Sequence, residues 1–200
     1  MPNGYFFVRI SAFFIVFISL LFAKQATGQQ YTDSFMLWAP DKKIAARDFK
    51  HPVDSIAIKR GVPFKASSLL DIKMDVQQFD EDDTAFSYNI YPVFFRYLSW
   101  LYDTTQLPHE QLHFDISEVY ARKMRRCIQL MKKDPDNYEW LKIKLNELYY
   151  DHAKYHVLYD KETHSGKFVN MQLLWNRNIA TQLDTLKKYD LSKGTIKLTE

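Results

Sequence analysis

Residues 108–133 read PHEQLHFDISEVYARKMRRCIQLMKK, and the architecture of the second half of the chain follows from this stretch. Its apolar residues recur at intervals of three and four, as on one face of an α-helix. They are Leu112, Ile116, Val119, Tyr120, Met124, Cys127, Ile128 and Met131. Pro108 suits the first turn of a helix, where the missing N–H costs no hydrogen bond. The pattern predicts a long helix from Pro108 to about Lys133.

Two further helices are predicted beyond this one. The run of residues 134–137, Asp-Pro-Asp-Asn, should end the first helix. A second helix is expected from about Tyr138 to Leu158 and a third from about Met171 to Lys188. Residues 159–166, YDKETHSG, are expected to form the loop between them.

The chain before residue 108 is predicted to be rich in β-strands. Residues 55–59 alternate in polarity, and Leu70 to Val76 carries an apolar residue at every second position. Phe86 to Ile90 alternates again after the acidic residues 80–83, which indicates an antiparallel hairpin with a solvated turn. We therefore expect an α+β fold, with N-terminal antiparallel strands followed by helices.

The first 28 residues have the features of a secretory signal peptide. Arg9 precedes an apolar run over residues 10–23, and Ala26 and Gly28 are the small residues of a cleavage site after Gly28. A transmembrane anchor, the alternative, needs about 20 apolar residues, more than this run supplies. Cleavage after Gly28 would leave no membrane span.

The mature chain is expected to be one domain over residues 29–200. It contains a single cysteine, Cys127, so it cannot form an intramolecular disulfide. That composition is unusual for a small extracellular animal domain but common in bacterial envelope proteins. We expect an exported protein, in a bacterial periplasm or secreted.

The charge balance argues against nucleic acid as a partner. The formal net charge is +3, and removal of Arg9 and Lys24 with the signal peptide lowers it to +1. The remaining basic cluster lies in residues 122–126, and Arg122, Arg125 and Arg126 are expected on the solvated face of the long helix.

Residues 109–113, HEQLH, form an H-E-x-x-H pattern near the start of that helix. Residues i and i+4 lie about 40° apart around a helix, so His109 and His113 face the same way and can share one zinc ion. Zinc lowers the pKa of a bound water to about 7. The neighbouring Glu110 could then take a proton as that water attacks a peptide carbonyl. The pattern is typical of metallopeptidases.

Residues within helices are poor candidates for the third ligand. Glu118 lies about 140° around the helix from His113, so it cannot complete the site if the helix continues. Asp115 is also turned away. His152 and His156 form another i, i+4 pair, on the second helix, which is more typical of an ordinary helix surface.

The predicted loop at 159–166 supplies the other candidates. His164 lies beside Ser165 and Gly166, where the backbone can fold close to a metal. Asp160 or Tyr159 could supply an oxygen, either as a ligand or as a donor to the transition state. The residues themselves leave the third ligand open.

Several segments together resemble a bacterial family of predicted secreted zinc-dependent proteases. In that family an H-E-Q-x-H-F-D-I helix is followed by an alanine-arginine pair, as in residues 109–122 here. In the family a Tyr-Asp-x-x-Thr-x-His-Gly-like loop then precedes a Gln-x-x-Trp helix, and residues 159–166 and 172–175 match these two segments. The match departs in the loop, where His164 directly follows Thr163 and a serine precedes the glycine. Further matches, which extend the resemblance over most of the mature chain, are Trp38, residues 47–49 (RDF) and residues 99–100 (SW).

The resemblance implies a zincin-like domain, in which the sheet packs behind the active-site helix and an extended substrate lies along an edge strand. It implies that His109 and His113 are zinc ligands and that Glu110 is the catalytic base. It also makes His164 the preferred third ligand.

We therefore expect an exported, zinc-dependent hydrolase, most simply a metallopeptidase acting on peptides or proteins. The alternative is a non-catalytic envelope protein that keeps the fold for binding or structure. Glu110 favours catalysis, because a structural zinc site is closed by four protein ligands and has no use for a base. The sequence does not indicate substrate preference or oligomeric state.

Overall fold

The computed structural model describes residues 31–53, 59, 65–78, 85–131 and 137–197. The predicted signal peptide, the expected strand residues 55–58 and the acidic turn at 80–83 lie outside these ranges. The main elements, in chain order, are α1 (Tyr31–Ser34), β1 (Phe35–Leu37), β2 (Ala66–Ser67), β3 (Leu70–Gln78), β4 (Ala85–Phe95), β5 (Trp100–Leu101), α2 (Leu107–Gln129), α3 (Asn137–Thr163), α4 (Val169–Thr185) and β6 (Lys193–Lys197).

Strand β4 is the centre of a four-stranded antiparallel sheet. It pairs with β3 on one side over nearly its whole length, with Leu70 opposite Phe94. Its other side is shared by β1, which pairs near the end of β4, and by β6, which pairs near the start. Strands β2 and β5 form a separate two-stranded ladder. The predicted hairpin is confirmed, and both of its strands are longer than expected.

The last element of the described chain is a strand rather than a helix, because β6 follows α4 and pairs with β4 of the sheet. The residue Gly194 allows this return. A Cβ atom at that position would lie 2.8 Å from the hydroxyl of Tyr88 on β4, closer than real Cβ contacts come. The fold is therefore α+β, with antiparallel strands before the helices and one strand after them.

The three long helices follow the predicted positions. α2 begins with Pro108 in its first turn and ends four residues before the expected Lys133. α3 continues to Thr163, five residues beyond the expected end at Leu158, so most of the predicted loop is helical. Within the described ranges, no helix is both long and apolar enough to cross a membrane.

Helix α2 lies at the centre of the core, against the sheet and against α3 and α4. Its inward residues pack with Ile72 of β3, with Ile90 of β4 and with side chains of the other two helices. Phe114 instead joins a smaller cluster that includes Met36 and Phe94. The helix that carries the histidine motif is thus held on several sides.

The expectation of a solvated face is confirmed for Arg126, which is exposed, but is wrong for Arg122 and Arg125. They are 6% and 1% exposed, and both bind the buried carboxylate of Glu118. Arg125 also donates to the carbonyl oxygens of Ile90 and Tyr189. A buried guanidinium is tolerated because each of these acceptors compensates its lost hydration.

Candidate metal centre

Three ligand atoms converge between α2 and α3. The Nε2 atoms of His109 and His113 lie 3.2 Å apart, and Oδ1 of Asp160 lies 3.0 Å from the first and 3.2 Å from the second. Among the described histidine, cysteine, aspartate and glutamate residues, this is the group whose ligand atoms could hold a metal ion. The expected pairing of the motif histidines is present, and the third member is Asp160.

The separations agree with the edges of a small coordination polyhedron. A tetrahedral zinc site with bonds of about 2.0–2.1 Å holds neighbouring ligand atoms about 3.3 Å apart. Two imidazole nitrogens and one carboxylate oxygen are also a donor set that zinc accepts. The three residues could therefore hold a metal ion.

Asp160 reaches this position because α3 continues past Leu158. His152, His156 and Asp160 follow one another at intervals of four residues, so all three lie on one face of the helix. The signal was present in the sequence as this repeated spacing. It was obscured by the prediction of a loop at residues 159–166.

Hydrogen bonds orient the imidazole of His109. Its Nδ1 lies 3.1 Å from Oε1 of Gln172, and the same oxygen accepts a hydrogen bond of 2.7 Å from the Tyr159 hydroxyl. Because that oxygen can only accept, the N–H of His109 sits on Nδ1 and the lone pair of Nε2 faces the other two ligand atoms. Such second-sphere contacts raise the affinity of a metal site.

Tyr159 is a packing and positioning residue rather than an oxygen donor to the centre. It is fully buried, and its ring stacks on His109 with ring centroids 4.5 Å apart. Burial raises the pKa of the Tyr159 hydroxyl far above its usual value of 10. The hydroxyl therefore stays protonated and continues to donate to Gln172.

Asp160 is ionised throughout the neutral range. Burial acts to raise the pKa of Asp160, but the close contacts of its carboxylate with the rings of His109 and His113 outweigh burial and hold the pKa well below its usual 3.8. The carboxylate is thus available as an anionic ligand.

Glu110 is 5% exposed and lines the same cleft as the converging ligand atoms. Within the described part of the chain, no side-chain hydrogen bond engages its carboxylate. A buried carboxylate that lines the cleft, without such a bond from the described residues, could accept a proton there.

The cleft has a volume of about 580 Å³. Its walls come from α2, from α3, from residues 65–71, which include β2 and the start of β3, and from Ser165 and Lys167 after α3. Through this opening a small molecule can reach the three converging side-chain atoms from solvent.

His164, the expected third ligand, lies outside the group of three. It is exposed, has a φ of +51° and stacks on Phe168 with ring centroids 5.1 Å apart. The turn does approach the site through Gly166, where a Cβ would lie 3.0 Å from Cβ of His109. Because Asp160 is still helical, the chain turns too late to bring the His164 ring into the group.

The remaining candidates for the third ligand are engaged elsewhere. Glu118 is occupied by the two buried arginines, and Asp115 accepts hydrogen bonds from Trp38 and Gln111. His152 and His156 line the cleft. Their Nε2 atoms contact one another, and Nδ1 of His156 contacts Nδ1 of His113 on the side away from the three converging ligand atoms, so neither histidine belongs to that group.

Comparisons with family models, with curated proteins and with solved structures find no match to this chain. The assignment of the site therefore rests on its own residues.

Proposed function

We propose that this protein is a zinc-dependent hydrolase with a zincin-like arrangement, and that peptides or proteins are its substrates. The observation that carries the proposal is the convergence of His109, His113 and Asp160 to separations of 3.0–3.2 Å. A metal ion held there would supply Lewis acidity and an acidified water. The proposed ligand set replaces His164 with Asp160.

The number of ligands favours a catalytic over a structural site. Structural zinc is closed by four protein ligands, whereas catalytic zinc keeps a position for water or substrate. The described residues contribute three ligand atoms, and the cleft adjoins them. The chain's own part in the reaction would be to orient the histidines through Gln172 and to accept a proton at the Glu110 carboxylate.

Export is part of the same proposal. The N-terminal sequence supports cleavage after Gly28 and a location in a bacterial periplasm or outside the cell. Mass spectrometry of the protein recovered from the exporting host should then give a chain that begins at Gln29. Recovery of the uncleaved chain in the membrane fraction would contradict this location.

The proposed activity is tested by metal content and hydrolysis together. Purified wild-type protein should contain about one zinc per chain, and His113→Ala should lose it. Glu110→Gln should keep the zinc and lose about 10²–10⁴-fold in the hydrolysis of a peptide library. Exposed His51 offers the matched control, because His51→Gln removes an imidazole outside the cleft.

Two results would contradict the proposal in different ways. A folded wild-type protein that stays free of zinc after dialysis against it would exclude the metal centre. Zinc binding without hydrolysis of any library member would instead favour a non-catalytic binding protein.

A further inference from the structure

A line of imidazoles extends beyond the candidate metal centre. Nδ1 of His113 lies 2.7 Å from Nδ1 of His156, and Nε2 of His156 lies 2.7 Å from Nε2 of His152. Ser117 adjoins this line, with its hydroxyl oxygen 3.0 Å from Nε2 of His152. The same hydroxyl lies 3.1 Å from the carbonyl oxygen of His113 one turn earlier in α2, so its hydrogen can be donated to that oxygen or to a lone pair on Nε2 of His152.

Each contact in the line requires one hydrogen atom. Two ring nitrogens at 2.7 Å are hydrogen-bonded only if one carries a hydrogen and the other offers a lone pair. A neutral imidazole has one N–H and one lone pair, so each ring donates on one side and accepts on the other. All the N–H bonds of the line must then point the same way.

A metal ion at the centre would select the direction. If Nε2 of His113 ligates the metal, the hydrogen of that ring is on Nδ1 and is donated to Nδ1 of His156. The hydrogen of His156 is then on Nε2 and is donated to Nε2 of His152.

We infer that His156 is a positioning residue for the metal ligand His113, and that the pair His152–His156 does not bind a second metal. The pair has the i, i+4 spacing of a ligand pair, but Nε2 of His156 carries a hydrogen whenever His113 ligates a metal. The centre therefore takes one ion, and the second pair serves to fix the tautomer and the ring orientation of His113. This inference rests on the proposed metal site.

Two substitutions of His156 distinguish a hydrogen-bonding role from simple packing. His156→Phe keeps a planar ring but removes the acceptor, so zinc affinity should fall by about 10–100-fold. His156→Asn places an amide oxygen near the position of Nδ1 and should restore most of that affinity. His51→Gln, at an exposed histidine, is the control and should bind zinc like the wild type. Competition with a chromophoric chelator measures the affinities, and thermal unfolding in EDTA verifies that each variant is folded.

Two further measurements test the direction of the line and the stoichiometry. In ¹⁵N NMR spectra of the zinc-loaded protein, His113 should be protonated at Nδ1 and His156 at Nε2. Elemental analysis after gel filtration from excess zinc should give one ion per chain.

The outcomes distinguish this inference from the proposed function. One zinc per chain with active hydrolysis, but with unchanged affinity in His156→Phe or with His156 protonated at Nδ1, would overturn the inference alone. Two zinc ions per chain, with the second lost in His152→Phe, would also overturn it. A wild-type protein without zinc would overturn both.

Discussion

The folded state of the metal-free protein should become less stable between pH 7 and pH 5, because His152 is held neutral. Burial lowers the pKa of His152 from 6.5 to about 4, assisted by the charge of His113 and opposed by that of Asp71. The unfolded chain gains a proton near pH 6.5, whereas the folded chain gains it near pH 4. In this window the unfolded state binds more protons, so the free energy of unfolding falls as the pH falls.

The size of the effect follows from the shift. A difference of one pKa unit between the folded and unfolded states corresponds to about 1.4 kcal/mol of stability. His152 therefore contributes about 3 kcal/mol to the free energy of unfolding at high pH, and about 2 kcal/mol of this is lost between pH 7 and pH 5. His156 acts in the same direction, since burial first, and the charges of His113 and His152 next, hold its pKa well below 6.5. Asp160, whose pKa is lowered, contributes stability above pH 3.8 that is lost only at lower pH.

Urea denaturation in EDTA, at a series of pH values from 7 to 5, measures this dependence. His152→Gln cannot take up the proton, so its stability should fall by about 2 kcal/mol less than that of the wild type over the same range. His51→Gln should retain the wild-type slope, because His51 is exposed. Equal slopes for the wild type and His152→Gln would refute the role given to burial.

Three other predictions concern single residues. Asp160→Asn should abolish stoichiometric zinc binding, and His164→Asn should leave it intact. If elemental analysis gives the reverse pattern, His164 rather than Asp160 is the third ligand. Arg125→Met leaves the buried carboxylate of Glu118 partly uncompensated and should lower the free energy of unfolding by about 3–5 kcal/mol. If urea denaturation shows a loss below about 1 kcal/mol, the buried ion pair does not have this role. Gly166→Ala places a side chain at a φ of +79° and should cost about 1–2 kcal/mol by thermal unfolding, whereas an unchanged melting temperature would argue against this turn.

The open position of the proposed centre sets it apart from a zinc site that only stabilises a fold. The ligand atoms come from two helices that pack in the core, and the cleft adjoins them on the side of β3. The three ligand atoms are thus carried by packed helices and adjoin an open cleft, an arrangement that would suit catalysis at a metal.

Local patterns were sufficient for much of the secondary structure. The alternation of Leu70 to Val76 predicted a strand of the hairpin, and the three- and four-residue spacing after Pro108 predicted α2. The i, i+4 spacing of His109 and His113 likewise predicted that their imidazoles lie together. These features depend on residues near one another in sequence, where the geometry of one element decides the outcome.

Contacts between separate elements cannot be predicted from a short stretch of sequence. Whether Asp160 or His164 joins the motif depends on where α3 ends and on how it packs against α2, and neither is encoded in a short window. The burial of Arg125 depends on Glu118 and on distant carbonyl oxygens, while a charged residue read alone indicates a solvated surface. Local patterns along the chain therefore predict the helices, the hairpin and the histidine pair. The position of Asp160 beside the histidines and the burial of Arg122 and Arg125 follow from tertiary packing, because each depends on atoms brought together from separate parts of the chain.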